Sequence, residues 1–203
     1  MFYNCSSLTT LDVSNFDTSM VSSLDSMFSR CSSLTTLDVS NFDTSNVTDM
    51  DYTFYNCSSL TTLDVSNFDT SNVRYFGSTF RSMSGITDIV GVENFNIQAV
   101  TSSGSFLYFM RETTLPTSRY DALLINWEAQ TPISNVTNLN FGSYYQGSIY
   151  TLGGAAEAAR SSLINNYNWA LTDGGGIAAA PEPSLQLTFD GSSTSSFTVF
   201  DWS

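Results

Sequence analysis

One stretch, CSSLTTLDVSNFDTS, occurs three times, beginning at Cys5, Cys31 and Cys57, so the chain repeats itself every 26 residues. A repeat of this length is one structural unit that cannot bury its own apolar face until neighbours stack on it. The chain is therefore expected to be a repeat solenoid, and any function is expected to lie on the surface that stacking creates.

The register sorts side chains into columns. Phe2, Phe28, Phe54 and Phe80 form one, Leu8, Leu34, Leu60 and Ile86 a second, and Leu11, Leu37, Leu63 and Ile89 a third. Val13, Val39 and Val65 follow two positions on, then Phe16, Phe42 and Phe68. The pattern L-x-x-L-x-V-x-x-F alternates at its centre like a strand. Val21, Val47 and Val73, with Leu24, Met50 and Phe76 three residues later, supply a less regular return. A fourth copy keeps Phe80, Ile86 and Ile89 but needs one extra residue to bring Phe95 into register, and a fifth begins at Phe106–Leu107. Loosening toward one end is expected of a capping repeat.

Cys5, Cys31 and Cys57 share one position, where the later repeats carry Met83 and Met110. The position asks for a medium apolar side chain, and a ladder of reduced, buried thiols follows. An odd count with no C-x-x-C and no histidine argues against zinc.

The run C-S-S-L-T-T-L-D-V-S-N-F-D-T-S-N-V-T-D-M, with a Phe near the next cysteine, resembles the leucine-rich repeat of BspA-like bacterial surface proteins, a lipoprotein-type repeat of about 25 residues. The resemblance covers residues 1 to 111. Tyr120–Trp127, Gly153–Arg160 and Trp169–Gly175 resemble the segment that often closes such arrays. The resemblance implies a cell-surface or secreted binding protein, typically an adhesin, and similar repeats occur in phage virion proteins. No signal peptide or lipobox is present, and Met1 falls inside a repeat, as in a chain with coils missing upstream or a fragment.

Beyond the repeats, residues 112–173 read as a small α+β cap. Pro116 and a capping-box spacing at Ser118-x-x-Asp121 open a helix with Tyr120, Leu123, Leu124 and Trp127 on one face. A second helix spans about 155–167, with Ala156, Ala159, Leu163 and Tyr167 inward. Residues 135–141 and 169–172 read as strands, 174–184 as a Gly/Ala/Pro linker, and 185–203 as a β-strand tail or the start of a further domain. The cap tryptophans read as core or as a sugar-stacking platform.

The net charge is −13, with six arginines, no lysine and no histidine. No basic stripe suited to phosphates is apparent, so nucleic acid is disfavoured, and no apolar run is long enough to insert in a membrane. Missing histidine and lysine exclude the Ser-His-Asp and Cys-His arrangements, Schiff-base chemistry and a P-loop. A carboxylate glycosidase would need non-repeated acids such as Glu112 or Glu128. No cofactor is implied, and the chain reads as a non-enzyme.

The repeated acids form two columns, Asp12, Asp38 and Asp64, and Asp17, Asp43 and Asp69. At strand spacing, neighbouring carboxylates about 5 Å apart repel by roughly 0.8 kcal/mol even in water. Either turn amides and hydroxyls such as Ser14, Thr18 and Ser19 satisfy them, or calcium bridges the coils as a hard-oxygen metal site. Thr9, Thr35 and Thr61 stand beside Thr10, Thr36 and Thr62, and adjacent threonines point to opposite sides of a strand, which disfavours a flat ice-binding array.

The sequence thus reads as leucine-rich-repeat-like coils of 26 residues in a solenoid (residues 1–111), a small α+β C-terminal cap and a β-strand tail. The function it suggests is a non-enzymatic recognition or adhesion module at a cell surface, secreted or on a virion, binding protein or glycan on a partner surface. The alternative is a structural or receptor-binding part of a phage tail or extracellular fibre, self-associating through coil ends or the C-terminal strands.

Overall fold

The computed structural model describes residues 1–142 and 147–179. In chain order these form β1 (Thr62–Asp64), β2 (Asp88–Val90), β3 (Met110–Arg111), α1 (Thr117–Ala129), β4 (Leu139–Gly142), β5 (Tyr150–Leu152), α2 (Ala155–Asn165), β6 (Leu171–Thr172) and β7 (Gly176–Ala178). These strands pair in parallel, in three small sheets ordered β1-β2, β3-β4-β6 and β5-β7, and an isolated antiparallel bridge joins Gly142 and Gly147.

This corrects the expectation of a leucine-rich-repeat solenoid with a strand in every coil. The described residues contain two α-helices and short parallel strand pairs, and within residues 1–111 only Thr62–Asp64, Asp88–Val90 and Met110–Arg111 pair as strands. The reason is in the backbone. Many amides that a strand would commit to a neighbour turn back on the carbonyl three residues earlier, as in Met27 N to Leu24 O, Cys31 N to Phe28 O and Leu34 N to Cys31 O. Asn4, Ser26, Arg30, Tyr52, Asn56, Ser78 and Ser82 also take positive φ, which no strand accommodates.

The repeated segments nevertheless contact one another in register. Leu24, Ser26, Phe28 and Arg30 donate backbone N–H bonds to Asp49, Asp51, Thr53 and Tyr55, and Met50, Tyr52, Phe54 and Asn56 donate in turn to Tyr75, Gly77, Thr79 and Arg81. Side chains reinforce the register. Asn41 Nδ2 donates to the carbonyls of Val13, Ser14 and Phe16, and Asn67 Nδ2 to those of Val39, Ser40 and Phe42. The buried hydroxyls of Thr53 and Thr79 donate to carbonyls of their own and of the preceding segment. These bonds satisfy the polar groups that take part in them, as burial requires.

The apolar columns form the core. Phe28, Phe54 and Phe80 are fully buried, and Phe2, Phe28, Phe54 and Phe80 stack ring on ring with centroids 5.8, 5.6 and 5.6 Å apart. Leu37 and Leu63 are buried, whereas Leu11 and Phe2 in the first segment are only partly covered.

At the other end α1 closes the core. Tyr120, Leu123, Leu124 and Trp127 are buried beneath it, with Phe106, Phe109, Phe141 and Trp169 packed around Trp127. Trp127 and Trp169 are 0% and 3% exposed, so neither is a sugar platform. Arg119 ties the helix to the fourth segment through Asp88, at 2.8 Å, and Glu93. Asn126 and Gln130 add bonds to the backbone of Glu93, Phe95 and Ile97.

The capping box at Ser118 does not form. Pro116 is the N-cap, with no side-chain bond, and Asp121 instead accepts from the backbone N–H and the hydroxyl of Thr151 on β5. In α2, Ala156, Ala159 and Leu163 are buried, while Tyr167 lies beyond the helix. Gly176–Ala178, in the stretch expected to be linker, pairs with Tyr150–Leu152. The β-strand tail expected at 185–203 lies outside the described residues.

Truncating Phe54 to Ala should cost about 3–5 kcal/mol in denaturant unfolding, because the ring is enclosed by Phe28 and Phe80. Phe2→Ala should cost clearly less, since Phe2 has a ring neighbour from the next segment only. Equal losses at the two positions would contradict a cooperative stack of rings.

Candidate functional site

The residues one and two places after the ladder phenylalanines differ between repeats, and all but the buried Ser29 are at least partly exposed. The sequences are Phe2-Tyr3-Asn4, Phe28-Ser29-Arg30, Phe54-Tyr55-Asn56 and Phe80-Arg81-Ser82. Stacking places these variable residues side by side. The Arg30 guanidinium lies 5.8 Å from the ring centroids of both Tyr3 and Tyr55. Arg81 lies 5.5 Å from Tyr55 and 5.1 Å from Tyr108, and Arg111 is 5.1 Å from Tyr108. The result is a continuous stripe, Tyr3, Arg30, Tyr55, Arg81, Tyr108, Arg111, in which cations and aromatic faces alternate. Each contact contributes about 0.5–1 kcal/mol at an exposed site.

Beside the stripe is a shallow groove of about 220 Å³, lined by Tyr3, Ser26, Ser29, Arg30, Tyr52 and Tyr55. Tyr52 and Tyr55 meet edge to face at 5.8 Å. Among the described residues, Arg30 and Arg81 make no ion pair, and Arg81 Nε is buried with no hydrogen-bond partner. Arg111 is 3.6 Å from Glu112. Half of the six arginines of a chain with net charge −13 thus gather on one line.

Three of these residues stand on unfavourable backbone. Arg30 has φ 63°, Tyr52 φ 55° and Tyr108 φ 59°. At the Arg30 position the neighbouring repeats carry Asn4 and Asn56, a residue type that tolerates left-handed backbone well, and Ser26 and Ser78 stand at the Tyr52 position. The left-handed φ thus belongs to the repeated turn, where Arg30 and Tyr52 replace smaller residues.

The carboxylate columns take a different arrangement. Asp12, Asp38 and Asp64 accept backbone N–H bonds from Ser14, Ser40 and Ser66, and Asp17, Asp43 and Asp69 from Ser19, Ser45 and Ser71, all at 2.9 to 3.0 Å. These serine bonds hold all six carboxyls below the usual range. Each acid closes its own Asx-turn. Among the described residues no group of three acidic or cysteine side chains converges to hold a metal. Of the thiols, Cys5 is exposed while Cys31 and Cys57 are buried, donating to the carbonyls of Phe2 and Phe28. Burial pushes the Cys57 thiol up to about 12. Glu112 accepts from Ser82 and Glu128 from Ser162, on separate parts of the chain.

A family model described as "Mycoplasma protein of unknown function, DUF285" matches residues 1–120. The chain belongs to that family. No curated protein and no solved structure matches it. The matched span holds the entire stripe of this DUF285 chain.

The sequence reading passed over the stripe because it followed what the repeats share. The signal was in what they do not share, namely the Tyr and Arg residues that stand one or two places after the repeated Phe.

One further acid is partly buried. Asp51, next to Tyr52, accepts the Gly77 N–H at 2.5 Å, yet burial, with Asp49 and Asp25 nearby, raises its pKa to about 6. A carboxyl raised above its unfolded value of about 4 destabilises the fold once ionised, so this contribution to stability is lost as pH rises through 6. Asp51→Asn should therefore melt higher than the parent at pH well above 6 and equal it in mild acid, read by thermal denaturation against pH. A lower melting temperature at neutral pH would show that the charge is needed. Melting is also expected to be the same in EDTA and in millimolar calcium, whereas a rise with calcium would assign the Asp columns to inter-segment bridging.

Proposed function

We propose that this DUF285 chain is a non-enzymatic recognition and adhesion module, exposed at a cell surface, secreted or carried on a virion, that binds protein or glycan on a partner surface. The observation that supports it is the Tyr–Arg stripe. Tyr and Arg are the residues most enriched at binding hot spots, and here they are assembled on one line from separate segments. The resemblance of the repeats to those of BspA-like bacterial surface proteins agrees with this reading. The stacked segments act as a ruler that spaces the binding side chains.

The alternative, a structural or receptor-binding component of a phage tail or extracellular fibre, draws on another surface. Phe2, Leu11, Phe16 and Val21 are only partly buried, and Met1 and Met20 are exposed beside them. A defined oligomer or growing filament in light scattering across a concentration series would favour that reading.

Fluorescently labelled full-length chain applied to a panel of cell surfaces should bind saturably to at least one. Tyr55→Ala should weaken binding about tenfold or more, as truncation of an aromatic anchor does. Absence of saturable binding on every surface, or binding indifferent to Tyr55, would contradict the proposal.

A further inference from the structure

The stripe also carries information about its ligand. The inference rests on the recognition reading above and narrows it. We infer that the Tyr–Arg stripe binds an extended acidic glycan, one that carries carboxylate or sulfate groups at the interval of a disaccharide.

The spacing comes first. Arg30 and Arg81 are separated by the ring of Tyr55, two backbone bonds along the stack, as Arg30 N donates to Tyr55 O and Asn56 N to Arg81 O. Two steps at strand spacing set the guanidiniums about 10 Å apart. A linear polymer with one acid per two sugar rings presents its charges at a comparable interval.

The orientation comes second. A guanidinium held against aromatic faces has those faces covered, which leaves the in-plane N–H edge to make paired bonds to a carboxylate or sulfate. Arg30 is sandwiched in this way by Tyr3 and Tyr55, and Arg81 by Tyr55 and Tyr108. Neither is neutralised by an ion pair among the described residues, and Arg81 Nε is left without a partner.

The lining comes third. The groove has no aliphatic wall; it is made of tyrosine, serine and arginine. Ring edges and hydroxyls of that kind suit the mixed apolar and hydroxyl faces of a sugar ring.

The test uses the full chain against immobilised hyaluronan, chondroitin sulfate and neutral dextran, in low and physiological salt. Binding to hyaluronan and chondroitin sulfate but not to dextran is expected. Substituting Arg30→Gln and Arg81→Gln together should reduce it at least about tenfold, the loss expected for charge-assisted bonds. Arg30→Lys, which keeps the charge but not the planar fork, should not restore it. Arg74→Gln, an exposed arginine off the stripe, should leave it unchanged, and circular dichroism checks that each variant is folded. Because Arg30 is exposed, the single Arg30→Gln change serves if the double variant fails to fold. Equal binding to dextran, an equal loss on Arg74→Gln, or full binding by the double variant would overturn the inference. Stripe-dependent binding to polyglutamate without binding to either glycan would also overturn it, in favour of an acidic protein. If neither glycan binds while cell-surface binding persists and depends on Tyr55, the ligand class falls and the recognition reading stands.

Discussion

The stack of phenylalanine rings from Phe2 through Phe28 and Phe54 to Phe80 is the contact from which the rest of the molecule follows. Rings 5.6 to 5.8 Å apart and nearly parallel admit only one register between neighbouring segments. A slip by one residue would put Tyr3, Ser29 or Tyr55 into the core and a phenylalanine into water. Backbone bonds spaced by one repeat follow from that register, and so do the asparagine side chains that each gather three carbonyls. The variable residues one or two places after each phenylalanine are then delivered to a common line. Core and candidate site thus share one cause.

The rings also explain how such a polar chain folds. Charged residues are 12% of the sequence and the net charge is −13, so the segments repel one another unless their acids are satisfied locally. The Asx-turn carboxylates meet that need with serine hydrogen bonds, which keep them ionised and pin the turns. Asp51 is the exception, partly desolvated against Gly77. Gly77 makes that approach possible, since a Cβ there would lie 3.1 Å from the Asp51 carboxylate oxygen.

Reading the period was enough to sort the side chains. Phe28, Cys31, Leu34, Leu37, Val39 and their equivalents in the following segment are buried, whereas Cys5 of the first is exposed, and Tyr120, Leu123, Leu124 and Trp127 line the inner face of α1. The architecture was less legible. An alternating L-x-V suggests a strand, but the glycine-poor turns on either side use residues such as Ser26 and Arg30 in left-handed conformations, which a pattern of apolar letters does not reveal. Local motifs also yielded to tertiary contacts. Asp121 serves Thr151 rather than the start of α1, and the glycine-rich 176–178 stretch finds a parallel partner in β5. The stripe escaped for a related reason: its residues are 25 to 30 positions apart and become neighbours only when the segments stack. Comparing the positions where the repeats differ, rather than those where they agree, is what exposes it.

The central claim is that the stacked segments exist to hold a line of arginines between tyrosines for a ligand. The most direct measurement is a two-dimensional NMR titration of the arginine Nε–H signals with hyaluronan oligosaccharides. Six arginines give a spectrum simple enough to assign by substitution. The signals of Arg30, Arg81 and Arg111 should move together along one saturation curve while those of Arg119 and Arg160, held by carboxylates, stay in place. Movement of Arg74 alone, uniform small shifts of all six, or no change at saturating ligand would contradict the account.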